Sequence, residues 1–300
     1  MQDLSNLSRG AYLAIGLMLF ALFFGAGTLI YPAALGQHAG FDVGWALLGF
    51  IMTGVGLPLL GVLAIGYSGS RNVEELTSRV HPWYGLLYSV ILYLAIGPMF
   101  ATPRTGSVAY EISVKPFLAN GGSDLTQVVF LVVFFGISLW LSINPAKLVN
   151  RIGKILTPAL LLVILILIIK SLLTPLGGYN APSAQYAGAF TAGLQGFLDG
   201  YNTMDALASL VFSVLVVDFV RMSGAETRKQ IMSSTFKSGL VAALALAVVY
   251  IFIGNLGATS VDSIGHMDTG APVLAESAKI LFGNIGALLL AVIVFLACLT

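Results

Sequence analysis

Long apolar segments joined by short connections are the feature that most restricts the fold of this chain. Eight such segments cover residues 11–35, 43–67, 83–103, 126–143, 155–173, 190–217, 238–257 and 284–300. A helix needs about 20 apolar residues to cross the hydrocarbon core of a bilayer. Charged residues make up only 9% of the chain, against about 25% in soluble domains. The sequence therefore predicts an all-α integral membrane protein of about eight spans, in one transmembrane domain over residues 1–300.

The distribution of Lys and Arg gives these spans an orientation. With the N-terminus inside, ten of the 14 Lys and Arg residues fall on the inner side and four on the outer side. Cytoplasmic connections of membrane proteins carry the excess of positive charge. The N-terminus is therefore predicted to be cytoplasmic. The last segment runs to Thr300 without a polar tail, so we expect the chain to stop inside its eighth span.

Composition also narrows the ligands and partners. The net charge of +1 gives no basic surplus for nucleic acid, and the single cysteine, Cys298, excludes a disulfide framework and a cysteine metal cluster. The three histidines, His38, His81 and His266, fall in connections without metal-ligand spacing. We therefore predict a lipid-embedded protein with no transition metal, no cofactor, no nucleic-acid partner and no obligate protein partner.

The first span is interrupted near its centre by Phe24, Gly25, Ala26, Gly27 and Thr28. Each glycine in a helix interior costs about 1 kcal/mol relative to alanine. Unwound backbone at membrane depth persists only where protein or a water-filled cavity satisfies it. One interpretation is therefore a discontinuous helix that holds a ligand or an ion. The other is a small-residue face for close helix packing.

The sixth span carries its own interruption, at Gly200, Tyr201, Asn202 and Thr203, between the carboxylates of Asp199 and Asp205. Only 12 residues of apolar run follow Asp205, which is too short to cross, so Asp205 must lie within the membrane. Intramembrane carboxylates are rare and usually functional. The alternative is that Asp199 reaches the outer interface and Asp205 pairs structurally with an Arg or a Lys.

Spans 1 and 6 lie five apart and are the interrupted members of the two halves. Such a pair indicates a transporter binding site between inverted repeats. We therefore predict a first five-helix repeat at 11–173 and a partial second repeat at 190–300. Near the end of span 3, Arg104 and Glu111 share nearly one face if the helix continues. Arg104 then either gates an outer vestibule or simply ends the span.

Three of these segments, taken together, resemble one family. The runs Phe23–Pro32, Gly97–Glu111 and Gly196–Ala208 resemble spans 1, 3 and 6 of the bacterial branched-chain amino acid:cation symporters, the LIVCS family. The resemblance implies a leucine-transporter-type fold of the amino acid–polyamine–organocation superfamily, with inverted repeats and discontinuous helices 1 and 6. It also implies import of leucine, isoleucine and valine, coupled to Na⁺ or, in some members, to H⁺, and a location in a bacterial inner (plasma) membrane.

The resemblance further implies where the ligands lie. The substrate carboxylate would meet amides near Gly27 and Thr28, its ammonium would meet carbonyls beside both breaks, and its side chain would pack on Phe24, Tyr201 and span 3. By the pattern of this fold, the residues that would hold sodium are Ala21, Phe24, Ala297 and Thr300.

Three other classes of protein compete with a carrier. A channel needs a continuous polar stripe, which no span carries. An intramembrane enzyme needs an acid–base pair, but Asp199 and Asp205 lie about 120° apart on an ideal helix. A membrane scaffold does not need interrupted helices, so the two interruptions argue against this class. We therefore predict a carrier and no enzyme. The resemblance implies that it is a sodium-coupled symporter of branched-chain amino acids, with a proton-coupled carrier of another small neutral amino acid as the alternative.

Overall fold

The computed structural model describes residues 8–118, 122–144 and 149–300, with all their side chains except those of residues 26, 149 and 150. Fifteen α-helices and a few 3₁₀ and π-helical turns form the regular structure of this part of the chain. The helices are α1 (Arg9–Phe23), α2 (Ala26–Ala39), α3 (Val43–Ile51), α4 (Leu57–Ser68), α5 (Val73–Thr77), α6 (Pro82–Ile96), α7 (Ala101–Ser113), α8 (Asp124–Ser142), α9 (Thr157–Leu173), α10 (Ala189–Asn202), α11 (Asp205–Met222), α12 (Arg228–Ala258), α13 (Val261–Ile264), α14 (Gly270–Phe282) and α15 (Asn284–Leu299).

Continuous helical stretches long and apolar enough to cross a membrane number five within the described ranges. They are Gly27–Ser68, Pro82–Phe117, Asp124–Ser142, Arg151–Leu173 and Arg228–Ala258. The pair α10 and α11, bent by 46° at its break, adds a sixth. The helices α1 and α15 are apolar but shorter. The all-helical class is thus confirmed, and up to six of the predicted eight spans meet the criterion of length and composition.

Two predicted boundaries between spans are wrong. The connection expected between the first two spans is helical, because α2 passes through a 3₁₀ turn at Gly40–Asp42 directly into α3. The second difference is in the span predicted at 83–103, whose helix is interrupted within the stretch Pro82–Phe117, since α6 stops at Ile96 and α7 begins at Ala101. Pro98 explains this second difference. A residue that precedes proline is disfavoured in the α region, and Gly97 leaves the helix with φ −86° and ψ −119°.

Each interrupted helix packs on partners from the other half of the chain. The long helix α12 lies along both α1 and α2, whereas α10 packs on α3 and α11 packs on α4. The approach of α10 to α3 is close enough to exclude side chains. A Cβ on Gly49 would lie 1.9 Å from the carbonyl oxygen of Gly193, and a Cβ on Gly196 would lie 1.9 Å from that of Ala46. Such backbone contact through small residues is common between helices in lipid.

The connection after α12 and the helix α14 that follows it both contact α2. The helix α14, which no apolar segment predicted, packs on α2 and α15. The turn before it is fixed by Gln37, a buried residue of α2. Its Nε2 donates to Ser260 Oγ at 3.0 Å and to the Gly265 carbonyl at 2.9 Å, and its Oε1 accepts from the Met267 amide at 2.9 Å. The α12–α14 connection is therefore attached to the C-terminal end of α2.

Candidate functional site

The predicted interruption of the first span lies between α1 and α2. Phe24 and Gly25 leave the helix, and α2 begins again at Ala26. The hydroxyl of Thr28 donates to the Gly25 carbonyl at 2.7 Å and to the Phe23 carbonyl at 3.3 Å. Thr28 therefore satisfies part of the backbone that the break exposes, and the amides in the first turn of α2 are left for other partners.

The interruption of the sixth span lies between α10 and α11, at Thr203 and Met204. Met204 has φ 63° and is the one non-glycine residue with positive φ in the described ranges. The Thr203 hydroxyl donates to the Gly200 carbonyl at 2.8 Å. Non-glycine residues held in this left-handed region cluster at ligand sites, where the surrounding structure maintains the strain.

A cavity of about 550 Å³ lies between the two breaks, large enough for an amino acid. Gly25, Gly27 and Thr28 line it from the first break, and Thr203, Met204 and Asp205 line it from the second. The remaining wall is mostly apolar and comes from α1, α6, α7, α8, α11 and α15. The cavity also reaches the end of α8 at Ser142 and the turn at Ile152, a region that packs on α1. It thus extends from the breaks towards the side of the bundle where α1 begins.

The predicted substrate residues divide into two groups. Gly25, Gly27, Thr28 and Thr203 line the cavity, so their role in substrate binding remains a prediction with suitable geometry. Gly200, Tyr201, Asn202 and Phe24 do not line it, and the side chain of Ala26 lies outside the described part. The expected pocket walls at Phe24 and Tyr201 are therefore absent from this cavity.

Packing explains why these four residues lie elsewhere. The Phe24 ring is fully buried and stacks on Phe20 at 5.1 Å and on Tyr250 at 6.3 Å. A Cβ on Gly200 would lie 2.3 Å from Thr53 Oγ1, so Gly200 serves the contact with the second span. Tyr201 is 52% exposed, and Asn202 beside it is also exposed.

The residues predicted to hold sodium lie close together. The Thr300 hydroxyl is 3.2 Å from the Ala21 carbonyl oxygen and 3.2 Å from the Ala297 carbonyl oxygen. All three residues line the cavity, and Phe24 follows Ala21 at the end of the same helix. Carbonyls at the ends of half-helices, together with hydroxyls, are the donors that coordinate Na⁺ in transporters. The donor set thus suits a small cation, and cation binding remains a prediction.

The predicted gating residues Arg104 and Glu111 both lie on α7 but do not pair. Arg104 is half-buried and lines the cavity, whereas Glu111 is exposed and does not. One ion pair, Lys279 to Glu276 at 3.7 Å, is present among the described residues. The Arg104 guanidinium instead lies over the first break, with Nη2 3.5 Å from the position that a Cβ of Gly27 would take.

The two carboxylates of the sixth span have different surroundings. Asp199 lies away from the cavity and accepts hydrogen bonds from the Tyr186 hydroxyl and, at 3.2 Å, from Gln195 Nε2. Burial, followed by the nearby Asp199 charge, raises the pKa of Tyr186 above its usual value. Asp205 is only 7% exposed and lines the cavity. The predicted alternative, in which Asp205 pairs with an Arg or a Lys, does not occur within the described residues.

Tyr250 is a residue of the site region that the sequence did not indicate. It is fully buried on α12, packs edge-on against Phe50 at 5.3 Å, and stacks on Phe24 of the first break at 6.3 Å. It stands within the apolar segment 238–257, where nothing local distinguishes it from a packing residue. Its place beside the first break becomes evident only from the packing of α12 against α1 and α2, the two halves of the first interrupted helix.

The chain is similar in sequence to known proteins over nearly its whole length. The family described as branched-chain amino acid transport protein matches residues 8–300. Branched-chain amino acid permease BraB of Bacillus subtilis is 48% identical over 95% of this chain and 64% of its own length. Permease BrnQ of the same organism is 46% identical, over 98% of this chain and 67% of its own. The branched-chain amino acid transport system 2 carrier protein of Pseudomonas aeruginosa is 41% identical, over 96% and 65%. The chain thus spans about two thirds of the length of these relatives.

Proposed function

This chain is a multi-pass membrane protein of the branched-chain amino acid transport protein family, and from this premise we propose that it acts in sodium-coupled import of leucine, isoleucine and valine. The family is one of transporters and not an enzyme class. The observation that carries the proposal is the single cavity lined by both interrupted helices.

The substrate site proposed here lies between the two breaks. The carboxylate of an amino acid meets the free amides at the start of α2, near Gly27 and Thr28, where the helix dipole is positive. Its ammonium lies towards the second break, near Thr203 and Asp205. A branched aliphatic side chain suits the apolar remainder of the cavity, because the free energy of its transfer from water scales with the apolar area buried.

Sodium coupling is supported by the donor set at the end of α15. Ala21, Ala297 and Thr300 bring two carbonyls and a hydroxyl together beside the first break. An ion held there would link α1 to α15 and stabilise the loaded carrier. A ligand that binds one state more tightly shifts the population towards that state, so a sodium gradient could drive uptake.

The inverted-repeat fold is supported by the packing of the interrupted helices. The first lies on α12, and the second lies on α3 and α4. If the spans are numbered along the chain, these pairs are 1 with 7 and 6 with 2. Exchange of the two five-helix repeats converts each pair into the other, as a leucine-transporter-type fold requires.

The proposed orientation has the N-terminus in the cytoplasm of a bacterial cell, with the carrier in the inner membrane. Ten inner against four outer positive residues support this orientation. The cavity then opens towards the cytoplasm, and the α2 end of the bundle, with α14, lies outside. The structure thus has the character of an inward-facing state.

The direct test is uptake of radiolabelled leucine by the purified protein in proteoliposomes. We expect an imposed sodium gradient to drive uptake and excess valine to block it. Uptake driven by a proton gradient alone would instead favour the proton-coupled carrier. If alanine or another small neutral amino acid competes and valine does not, the branched-chain assignment fails. Leucine exchange through preloaded vesicles would separate a carrier from a channel.

A glycine substitution tests whether the first break is part of this site. Gly27→Leu should abolish leucine uptake, because the added side chain occupies the space between the break and Arg104. Gly136→Leu is the matched control, since a Cβ at Gly136 of α8 meets no atom within 4 Å. Uptake at the wild-type rate by Gly27→Leu, in protein of normal yield, would remove the first break from the binding site.

A further inference from the structure

One basic and one acidic side chain line the same cavity without forming an ion pair. Arg104 of α7 and Asp205 of α11 both line the cavity, which is otherwise predominantly apolar. No ion pair joins them, and none joins either to another side chain in the described part of the protein. Charged groups away from bulk water are normally paired, because an unpaired charge there carries a large desolvation cost. Within the described residues neither group has an ion-pair partner, so both are available to a ligand in the cavity.

Arg104 presents its positive charge at the first break. It is half-buried, and its guanidinium lies within 3.9 Å of the place where a Cβ of Gly27 would be. Gly27 belongs to the first turn of α2, whose amides have no partner within the helix. A guanidinium and helix amides that point to one place form a strong site for a carboxylate, since charge-assisted hydrogen bonds are short and often bidentate.

Asp205 places a buried carboxyl group at the second break. Its carboxylate is buried, and no hydrogen-bond partner within the described residues reaches its Oδ2 atom. A fully satisfied structural carboxylate would have both oxygens bonded, as the buried polar groups of native proteins usually do.

We propose that Arg104 and Asp205 are the two poles that bind the carboxylate and the ammonium of a zwitterionic amino acid. The proposal rests on the function proposed above and assigns its charged contacts. A zwitterion satisfies both poles together, whereas a carboxylic acid or an amine with the same side chain leaves one charge of the site unpaired. Selection of α-amino acids over their deaminated and decarboxylated analogues is thus set by α7 and α11, and the apolar wall selects the side chain.

The test compares three ligands of one side-chain shape by titration calorimetry on the purified protein. They are leucine, 4-methylpentanoate, which lacks the ammonium, and 3-methylbutylamine, which lacks the carboxylate. The wild type should bind leucine about a hundredfold more tightly than either analogue, or more, because a site built for a polar group rejects a ligand without it.

The expected results differ between the two variants. Asp205→Asn should weaken leucine binding by about tenfold to a hundredfold and leave 4-methylpentanoate nearly unchanged, since only the ammonium contact is lost. Arg104→Gln should weaken leucine similarly and leave 3-methylbutylamine nearly unchanged. Arg104→Lys, which keeps the charge, should retain part of the affinity. The ratio of two affinities within one variant does not depend on the fraction of folded protein.

Asp218→Asn is the matched control, because Asp218 lies on the same helix as Asp205, is exposed and does not line the cavity. It should keep the wild-type ratios. If both site variants keep the wild-type ratios, the charged poles are refuted while leucine binding by the wild type preserves the proposed function. If Asp205→Asn changes only the sodium dependence of leucine binding, Asp205 serves the ion and the ammonium assignment is wrong. A wild type that binds neither leucine nor another amino acid would refute both proposals.

Discussion

Met204 shows how a single residue maintains the second break. Its φ of 63° places an L-residue in the left-handed region, between the end of α10 and the start of α11. Such a conformation costs of order 1–3 kcal/mol and persists only where the surroundings hold it. Met204 also lines the cavity, so the strain lies where a ligand would bind.

We expect Met204→Ile to destabilise the protein by about 1 kcal/mol or more, because a β-branched side chain tolerates the left-handed region worse than methionine does. Thermal unfolding in detergent would measure the change. Met222→Ile is the control, since Met222 is exposed at the end of α11 with ordinary helical backbone. Equal melting temperatures for the two variants would show that the break is not strained at Met204.

At the scale of elements, glycines decide how closely the second interrupted helix approaches α3. Gly49 and Gly44 both lie on α3 but face different surroundings. A Cβ on Gly49 would lie 1.9 Å from the Gly193 carbonyl oxygen, whereas a Cβ on Gly44 would meet nothing within 4 Å. The same substitution therefore has opposite consequences at the two positions.

Gly49→Ala should destabilise the protein by about 1–3 kcal/mol, since α3 and α10 must separate to admit the methyl group. Gly44→Ala should be neutral or stabilising by up to about 1 kcal/mol, because alanine favours the helix over glycine. Thermal unfolding of both variants in detergent tests the pair. A stabilising Gly49→Ala would contradict the direct backbone contact of these helices.

Asp262 joins two connections between helices. It lies in the α12–α14 connection and is hydrogen-bonded to the α9–α10 connection. The carboxylate accepts hydrogen bonds from Asn180 Nδ2 at 2.9 Å and from the Gly178 amide at 3.0 Å. The Asn180 bond, followed by the Gly178 bond, lowers the pKa of Asp262 below its usual value of 3.8. These bonds therefore favour the ionised carboxylate.

The sign of this pKa change predicts a dependence on pH. The contribution of Asp262 to stability is present above pH 3.8, the ordinary pKa, and is lost as the pH falls through the lowered value. Asp262→Asn should therefore lower stability at neutral pH and flatten the acid limb of the stability profile. Asp268→Asn, on an exposed residue of the same connection, is the control and should leave the profile unchanged. The measurement is the stability to unfolding as a function of pH, from pH 6 downwards. Identical acid limbs for wild type and Asp262→Asn would show that the Asp262 hydrogen bonds do not stabilise the protein.

At the scale of the whole molecule, the position of the cavity predicts which side of the membrane reaches the site. The cavity extends to Ser142, at the end of α8. In a Cys298→Ala background, Ser142→Cys should react with a membrane-impermeant maleimide in inside-out vesicles and not in intact cells. Ala181→Cys, on an exposed residue of the α9–α10 connection, should react in the opposite way. Labelling of Ser142→Cys only in intact cells would reverse the proposed orientation.

The sequence predicted part of the site. Features that depend on local composition were visible in it, whereas features that depend on how helices pack were not. The breaks at Gly25 and Thr203 were visible because glycines and carboxylates inside an apolar span contradict the local preference for an unbroken helix. Tyr201 does not line the cavity, although it was expected to form a pocket wall. Which side of α10 faces the cavity depends on how α10 packs against α3, and the sequence does not show this packing. Tyr250 gave no signal, because an aromatic residue in an apolar span has the composition of a packing residue.

The sequence by itself determined the membrane class, the helical content and the positions of the two interruptions. These properties follow from the length and polarity of local segments, which the bilayer selects without reference to neighbours. Only the tertiary structure decided that both interruptions line one cavity, that Arg104 and Asp205 face it unpaired, and that Asp199 is instead bonded to Tyr186. Those relations join residues far apart in the chain, and they are fixed by how helices pack, which no local pattern encodes.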